Sequence, residues 1–171
     1  MKTLIVYYSL EGNTDYAAKR IAEQTDADLL RLVPKKAYPD KGFAKFFWGG
    51  KSALMAEKPE LEPYEADLSS YGRIVLGFPV WASKFTPPLR TFLTEHLQEI
   101  KGKTIGAFAC QSGAGADKAL SRLKAFIGID AFEAEAVFID PKNRQTEQTD
   151  RAIDAFATAW ADDVEKPEKG E

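Results

Sequence analysis

Five short apolar runs recur along the chain: Leu4 to Tyr8, Leu29 to Val33, Ile74 to Phe78, Thr104 to Cys110 and Ala134 to Ile139. Each is bounded by polar, Gly or Pro residues, and most give way to a segment of helical period. Runs of this length read as strands, and continuous apolarity reads as burial on both faces. Helical spacing is expected over Asn13 to Gln24, Thr86 to Gln98, Ala116 to Ile127 and Thr146 to Val164. The second of these has Thr86 as its N-cap and Pro87 at its first turn, and Gly128 stops the third. Strand and helix in alternation with short gaps require βαβ crossovers and a parallel sheet covered on both faces. The expected class is therefore α/β, a three-layer sandwich.

One segment breaks the rhythm. Residues 35–67 carry Tyr38-Pro39, then Phe46, Phe47 and Trp48, then a helical stretch near Ser52 to Glu57, then Pro59 and Pro63. This reads as an elongated crossover whose Phe46, Phe47 and Trp48 cover a ligand, bind a partner or, on the favoured reading, pack on the fold. With 171 residues and no linker between core-forming halves, one domain over 1–164 is expected, followed by a polar, patternless tail at 165–171.

Charge and rare residues narrow the chemistry. There are 23 Lys and Arg against 26 Asp and Glu, a net charge of -3, so a nucleic-acid partner is not expected. The single cysteine, Cys110, excludes a disulfide framework and a multi-Cys metal site. The single histidine, His96, excludes a His-rich metal cluster and reads as a surface imidazole late in its helix. Cys110 reads as a small buried hydrophobe at a strand end. The apolar run that starts at Leu4 is far shorter than a membrane helix and lacks a cleavage pattern, so no membrane association and a cytoplasmic location are expected.

In an open parallel sheet, ligands bind at the carboxyl ends of the strands. Three loops there are unusual. Ser9-Leu10-Glu11-Gly12-Asn13-Thr14 offers hydroxyls, an amide and a tight turn before the first helix. The unpaired N–H groups and the dipole of that helix make a phosphate cradle that needs no cationic side chain. Glu11 must then point away from an anion or pair with a lysine. Pro79-Val80-Trp81-Ala82-Ser83 presents an indole for stacking on a planar ring. Gln111-Ser112-Gly113-Ala114-Gly115 brings backbone groups close to a ligand edge. Together the three describe a site for a phosphorylated planar heterocycle. G-x-G-x-x-G and Gly-Lys-Ser/Thr are absent, which excludes dinucleotide and Walker sites.

Tyr7-Tyr8-Ser9-Leu10-Glu11-Gly12-Asn13-Thr14 resembles the FMN phosphate loop of the flavodoxin family. Gly77-Phe78-Pro79-Val80-Trp81-Ala82, with Pro87-Pro88-Leu89-Arg90-Thr91-Phe92-Leu93 after it, resembles that family's isoalloxazine loop and following helix. The resemblance implies a flavodoxin-like five-stranded sheet of order 2-1-3-4-5 and one non-covalent FMN. It implies that Ser9, Gly12, Asn13 and Thr14 hold phosphate, with Glu11 in the same loop. Trp81 would stack on the ring, and Pro79, Val80, Ala82 and Ser83 would line its edge. Gln111, Ser112, Gly113 and Gly115 would lie against the pyrimidine side or the dimethylbenzene edge. The third loop lacks the second aromatic and the acidic residues common in flavodoxins, which leaves ring stacking one-sided or the opposite face open to substrate.

The resemblance implies an electron-transfer protein that shuttles electrons between redox partner proteins, a reductase and an acceptor, and a monomer is favoured. The alternative is an FMN-dependent NAD(P)H oxidoreductase acting on a quinone-like acceptor. No catalytic side chain is named, because the cofactor carries the chemistry. A response regulator would need an Asp at the end of the third strand, where Phe78-Pro79-Val80 stands. A thiol phosphatase would need Arg six positions after Cys110, where Ala116 stands.

Overall fold

A computed structural model of the chain describes residues 1–40, 51 and 56–162. Five strands, β1 (Thr3–Tyr7), β2 (Asp28–Arg31), β3 (Arg73–Pro79), β4 (Thr104–Gln111) and β5 (Glu135–Ile139), form one parallel sheet of order β2-β1-β3-β4-β5. Among the described residues the helices with full bounds are α1 (Asn13–Thr25), α2 (Pro87–Ile100), α3 (Ala116–Ile127) and α4 (Glu147–Asp162). The expected sheet order is thus the one observed.

The two-residue period of β1 divides the interior. Leu4, Val6 and Tyr8 point to the face covered by α2 and α3, where Leu89, Phe92, Leu93, Leu120 and Leu123 complete a core. Ile5 and Tyr7 point to the opposite face, against Ala17, Ala18 and Ile21 of α1 and Ile153, Phe156 and Trp160 of α4. A strand buried on both faces cannot alternate apolar with polar residues, which is why β1 reads as an unbroken apolar run. The edge strand β2 is instead largely exposed.

On the second face, α1 and α4 lie side by side. Arg20 bonds Asp154 through Nε and Nη2, each at 3.0 Å, and Tyr16 Oη donates to Asp150 at 2.9 Å. This pairing brings the loop that precedes α4 to the start of α1.

Several boundaries differ from expectation. β2 ends at Arg31 rather than Val33: Leu32 N–H makes a last bond to β1, at Tyr7 O and 2.8 Å, before the chain reaches Pro34. Thr146 is the cap of α4 rather than its first residue, with Oγ1 accepting the Thr149 N–H at 3.1 Å. Thr86 does occupy the N-cap of α2, but its hydroxyl makes no capping bond and is buried without a partner. Pro88, at the second helical position, removes one of the two N–H groups that such a cap would serve.

The long excursion after β2 closes on itself: Lys35 N–H donates to Glu60 O and Glu62 N–H to Val33 O. Phe46, Phe47 and Trp48 lie outside the described residues, as does the expected helix near Ser52 to Glu57 apart from its last two residues, of which Ala56 sits in a turn. Residues 163–171 also lie outside them. No helix among the described residues is long and apolar enough to cross a membrane.

Candidate functional site

At the carboxyl edge of the sheet, a cleft of about 150 Å³ opens between β1, β3 and β4. Its walls include Ser9, Glu11, Asn13, Thr14, Pro79, Val80, Trp81, Ala82, Gln111 and Ser112, so the three loops picked out in the sequence do converge. The parallel register causes this: Tyr7 pairs with Gly77 and Pro79 with Cys110, which ends the central strands at one level.

Four of the expected residues lie off this wall. Ser83, Gly113 and Gly115 border an adjoining groove at the start of α3, and Gly12 faces the outer side of α1 beside Lys142. Leu10, Cys110 and Asp140 line the cleft and were not singled out as ligand residues. Asp140 follows β5, a strand whose loop carried no sequence signal beyond Asp140-Pro141.

Most polar side chains of the first loop are already engaged. Ser9 Oγ accepts the Asp15 N–H at 3.1 Å. Asn13 Oδ1 accepts two backbone N–H groups, from Lys142 at 2.9 Å and Asn143 at 3.0 Å. Glu11 turns toward Asn143, whose Nδ2 donates to its Oε2 at 3.0 Å. Thr14 is the exception. Its side chain is 1% exposed, lines the cleft, and its Oγ1 has no hydrogen-bond partner. The Cys110 thiol sits close by, without regular hydrogen-bond geometry, and burial pushes that thiol up to about 12. A buried hydroxyl without a partner costs about 1–3 kcal/mol, so such a group points to something it can bind.

Backbone geometry shapes the same loop. Gly12 has φ +100°, in the left-handed region, where a side chain would be strained. Its carbonyl accepts the Tyr16 N–H at 3.0 Å. By helix geometry the N–H groups of Asn13 and Thr14 have no carbonyl partner within α1.

The second loop is a tight turn. Trp81 and Lys84 exchange backbone bonds at 3.1 and 2.9 Å, and Ala82 and Ser83 have φ of 50° and 57°. Two successive left-handed residues define a type I′ turn, which usually takes Asn or Gly. Here Arg122 holds the turn by donating to Ser83 O at 2.5 Å. Gly115, with φ +104°, lets the third loop close against it, since a Cβ there would meet Ser83 Oγ at 2.7 Å. Trp81 is half-buried at the rim. Its ring lies 5.6 Å from Tyr8 and 5.1 Å from Tyr38, at interplanar angles of 87° and 76°, so neither contact is a parallel stack.

The third loop is organised by two side chains. Gln111 Oε1 accepts the Ala116 N–H at 2.9 Å and caps α3. Ser112 Oγ donates to Asp140 Oδ1 at 2.7 Å, and Arg144 Nε donates to Asp140 Oδ2 at 2.7 Å. The Asp140 carboxylate on the cleft wall is therefore held by two donors.

His96 is elsewhere, and it is not a bare surface group. It lies on α2 with a side chain 19% exposed, 2.7 Å from Tyr64 Oη and 2.7 Å from Glu99. Tyr64 comes from the long excursion after β2, whose packing the helix pattern alone does not reveal.

A doubly wound parallel sheet with a ligand cleft at the ends of β1, β3 and β4 defines the class. The family model described as flavodoxin matches residues 2–137, and the chain belongs to that family. Among solved structures, it is similar to a flavoprotein from Lactobacillus acidophilus in complex with FMN (20% identity, TM-score 0.70, covering 91% of this chain and 98% of that one). It is also similar to flavodoxin 2 from Bacillus cereus (18% identity, TM-score 0.59, covering 95% and 99%). Two-electron reduced flavodoxin from Megasphaera elsdenii matches at 20% identity and a TM-score of 0.55, covering 91% and 98%. No curated protein matches the chain.

Proposed function

We propose that this protein binds FMN in the cleft and carries electrons between redox partner proteins. The observation that carries the reading is Thr14: a buried hydroxyl with no partner, on the wall of a cleft, in the first turn of a helix. A phosphate oxygen satisfies that hydroxyl, and the positive end of the α1 dipole favours the same anion. Family membership and the FMN-bound relative support the choice of ligand.

The residues present suit the group. Thr14 and the N–H groups of Asn13 and Thr14 would hold the phosphate. Ser9 Oγ accepts the Asp15 N–H, which fixes the start of the helix, and its own proton is left to donate to a phosphate oxygen. The enclosed volume is about 150 Å³, below the roughly 300 Å³ that encloses a drug-sized ligand, so a flavin ring would extend over the open rim beside Trp81. Ala82 and Ser83 in their held turn, with Ser112 opposite, would present backbone groups to the ring edge.

Bound FMN supplies one- and two-electron redox chemistry that no side chain here provides. The acid–base groups on the cleft wall are restrained: Cys110 is held as the thiol and Asp140 is bonded by Ser112 and Arg144. Their part is to bind and orient rather than to transfer protons, as suits a site whose cofactor carries the chemistry.

The test begins with a visible absorbance titration of the pure protein with FMN. A shifted flavin spectrum that saturates at one equivalent is expected, and no association at micromolar concentrations overturns the reading. NAD(P)H is then added to the loaded protein without a reductase. Slow or absent bleaching fits a carrier, and rapid turnover with a quinone assigns the enzyme instead.

A further inference from the structure

Ala82 and Ser83 stand in a turn whose backbone suits Gly or Asn, with φ of 50° and 57°. An L side chain in the left-handed region crowds its own backbone, so two such residues in succession store strain unless something holds them. Within the turn, the Trp81 and Lys84 backbone bonds at 3.1 and 2.9 Å oppose that strain. Further support comes from α3. Arg122 Nη1 donates to Ser83 O at 2.5 Å. One helical turn further on, the Phe126 ring meets the Phe85 ring edge-on, with centroids 5.6 Å apart. Phe85 leads the chain out of the turn and is buried.

Arg90 of α2 clamps the Phe contact, its guanidinium 4.6 Å from the Phe85 ring centre and 4.9 Å from that of Phe126. Residues 122 and 126 share one face of α3, so the helix grips the turn and its exit at two points about 6 Å apart. The loop that opens α3 presses on the same turn, since a Cβ on Gly115 would lie 2.7 Å from Ser83 Oγ. The other side of the turn belongs to the cleft: Trp81 and Ala82 line it, whereas Ser83 borders the adjoining groove. Arg122 thus acts on the back of a cleft wall that it does not join.

We propose that Arg122 is a positioning residue: it holds the strained 82–83 turn in the shape that Trp81 and Ala82 present to a flavin ring, and so sets ring affinity from α3. This rests on the FMN reading above and adds to it a residue that touches no ligand. A turn already held in its binding shape spares the ligand the cost of ordering it. The effect belongs to the ring and not to the phosphate, so FMN and riboflavin should feel it alike.

The experiment compares the wild type with Arg122→Met, Arg122→Lys, Ser83→Gly and the Arg122→Met, Ser83→Gly double variant. Its first arm uses ligand-free protein and reads amide hydrogen exchange at Trp81 and Lys84 by NMR. In Arg122→Met both amides should exchange about threefold to tenfold faster, beyond any rise at Val75, whose exchange follows global stability. The second arm is a fluorescence-quenching titration of FMN and, in parallel, of riboflavin. Arg122→Met should weaken both flavins by about threefold to tenfold, a modest loss because an exposed bond from a charged donor competes with water. Arg122→Lys keeps a charged donor and should regain part of it. Ser83→Gly keeps the carbonyl and removes the side chain that makes this φ costly. Against that background the loss from Arg122→Met should shrink to under about twofold, a rescue that a merely structural role for Arg122 would not give. Unchanged exchange at Trp81 and Lys84, unchanged flavin affinity, a loss for FMN alone, or no rescue by Ser83→Gly overturns the role of Arg122 while leaving FMN binding intact. Failure of the wild type to bind either flavin overturns the FMN reading, and the exchange arm still decides whether Arg122 holds the turn.

Discussion

The Oγ of Ser9 accepts the backbone N–H of Asp15 at 3.1 Å across the turn that opens α1. That bond divides the labour between two hydroxyls with similar sequence credentials. Ser9 accepts from the helix while lining the cleft with its proton free, and Thr14, five residues on, is left buried and unpartnered on the same wall. The same division governs what substitutions in this loop should do.

Thr14→Val exchanges the unpartnered hydroxyl for a methyl group of similar size. Removing an unsatisfied buried polar atom is neutral or stabilising for the ligand-free protein. The thermal midpoint should hold or rise, while FMN affinity falls by about 1.5–3 kcal/mol, the value of a hydrogen bond to a charged group. Calorimetry and a flavin titration on the same sample check both halves. Unchanged FMN affinity would take phosphate away from Thr14.

Trp81→Ala should weaken FMN binding by about 1–3 kcal/mol if the indole carries the ring. It also removes the edge contacts with Tyr8 and Tyr38, so stability drops as well. Trp81→Phe keeps an aromatic face and should recover much of the affinity. Equal affinity in the wild type and in Trp81→Ala would show that the ring rests elsewhere.

Cys110 is 4% exposed and its thiol is pushed up to about 12 by burial. At pH 8 the thiolate is scarce and shielded. A disulfide reagent should therefore label native protein slowly and urea-unfolded protein within the mixing time. Fast labelling of the native state would mean that the cleft floor is open.

Stability should fall in acid. Burial alone would raise the Asp15 carboxyl, but hydrogen bonds from Lys19 and Tyr7 outweigh it and leave the group below its ordinary value. Arg20 and Gln24 lower Asp154 in the same way. A carboxylate depressed in the folded state contributes stability above its unfolded value near 4, and the contribution is lost as pH falls through the folded value. Urea midpoints should be flat from pH 6 to 5 and decline below about pH 4. Asp15→Asn should be less stable at neutral pH and show a shallower acid decline.

The sequence by itself determined the layer architecture and the edge at which a ligand binds. Local periodicity carries that information: the unbroken apolar run of β1 demands burial on both faces, and Gly12 with Asn13 and Thr14 demands a turn into a helix. The tertiary structure alone decided how polar groups within those loops are spent. Asn13 Oδ1 goes to Lys142 and Asn143, about 130 positions away in the chain, and Gln111 Oε1 goes to the start of α3. Asp140 reaches the cleft wall, and Lys142 the outer side of the turn that opens α1, because α1 and α4 pack on one face of the sheet, which draws the loop after β5 over the first turn. No periodic signal encodes that meeting, since it depends on crossover handedness and on which helix neighbours which. A donor or acceptor visible in the sequence is only an offer, and the partner that takes it is fixed when the chain closes.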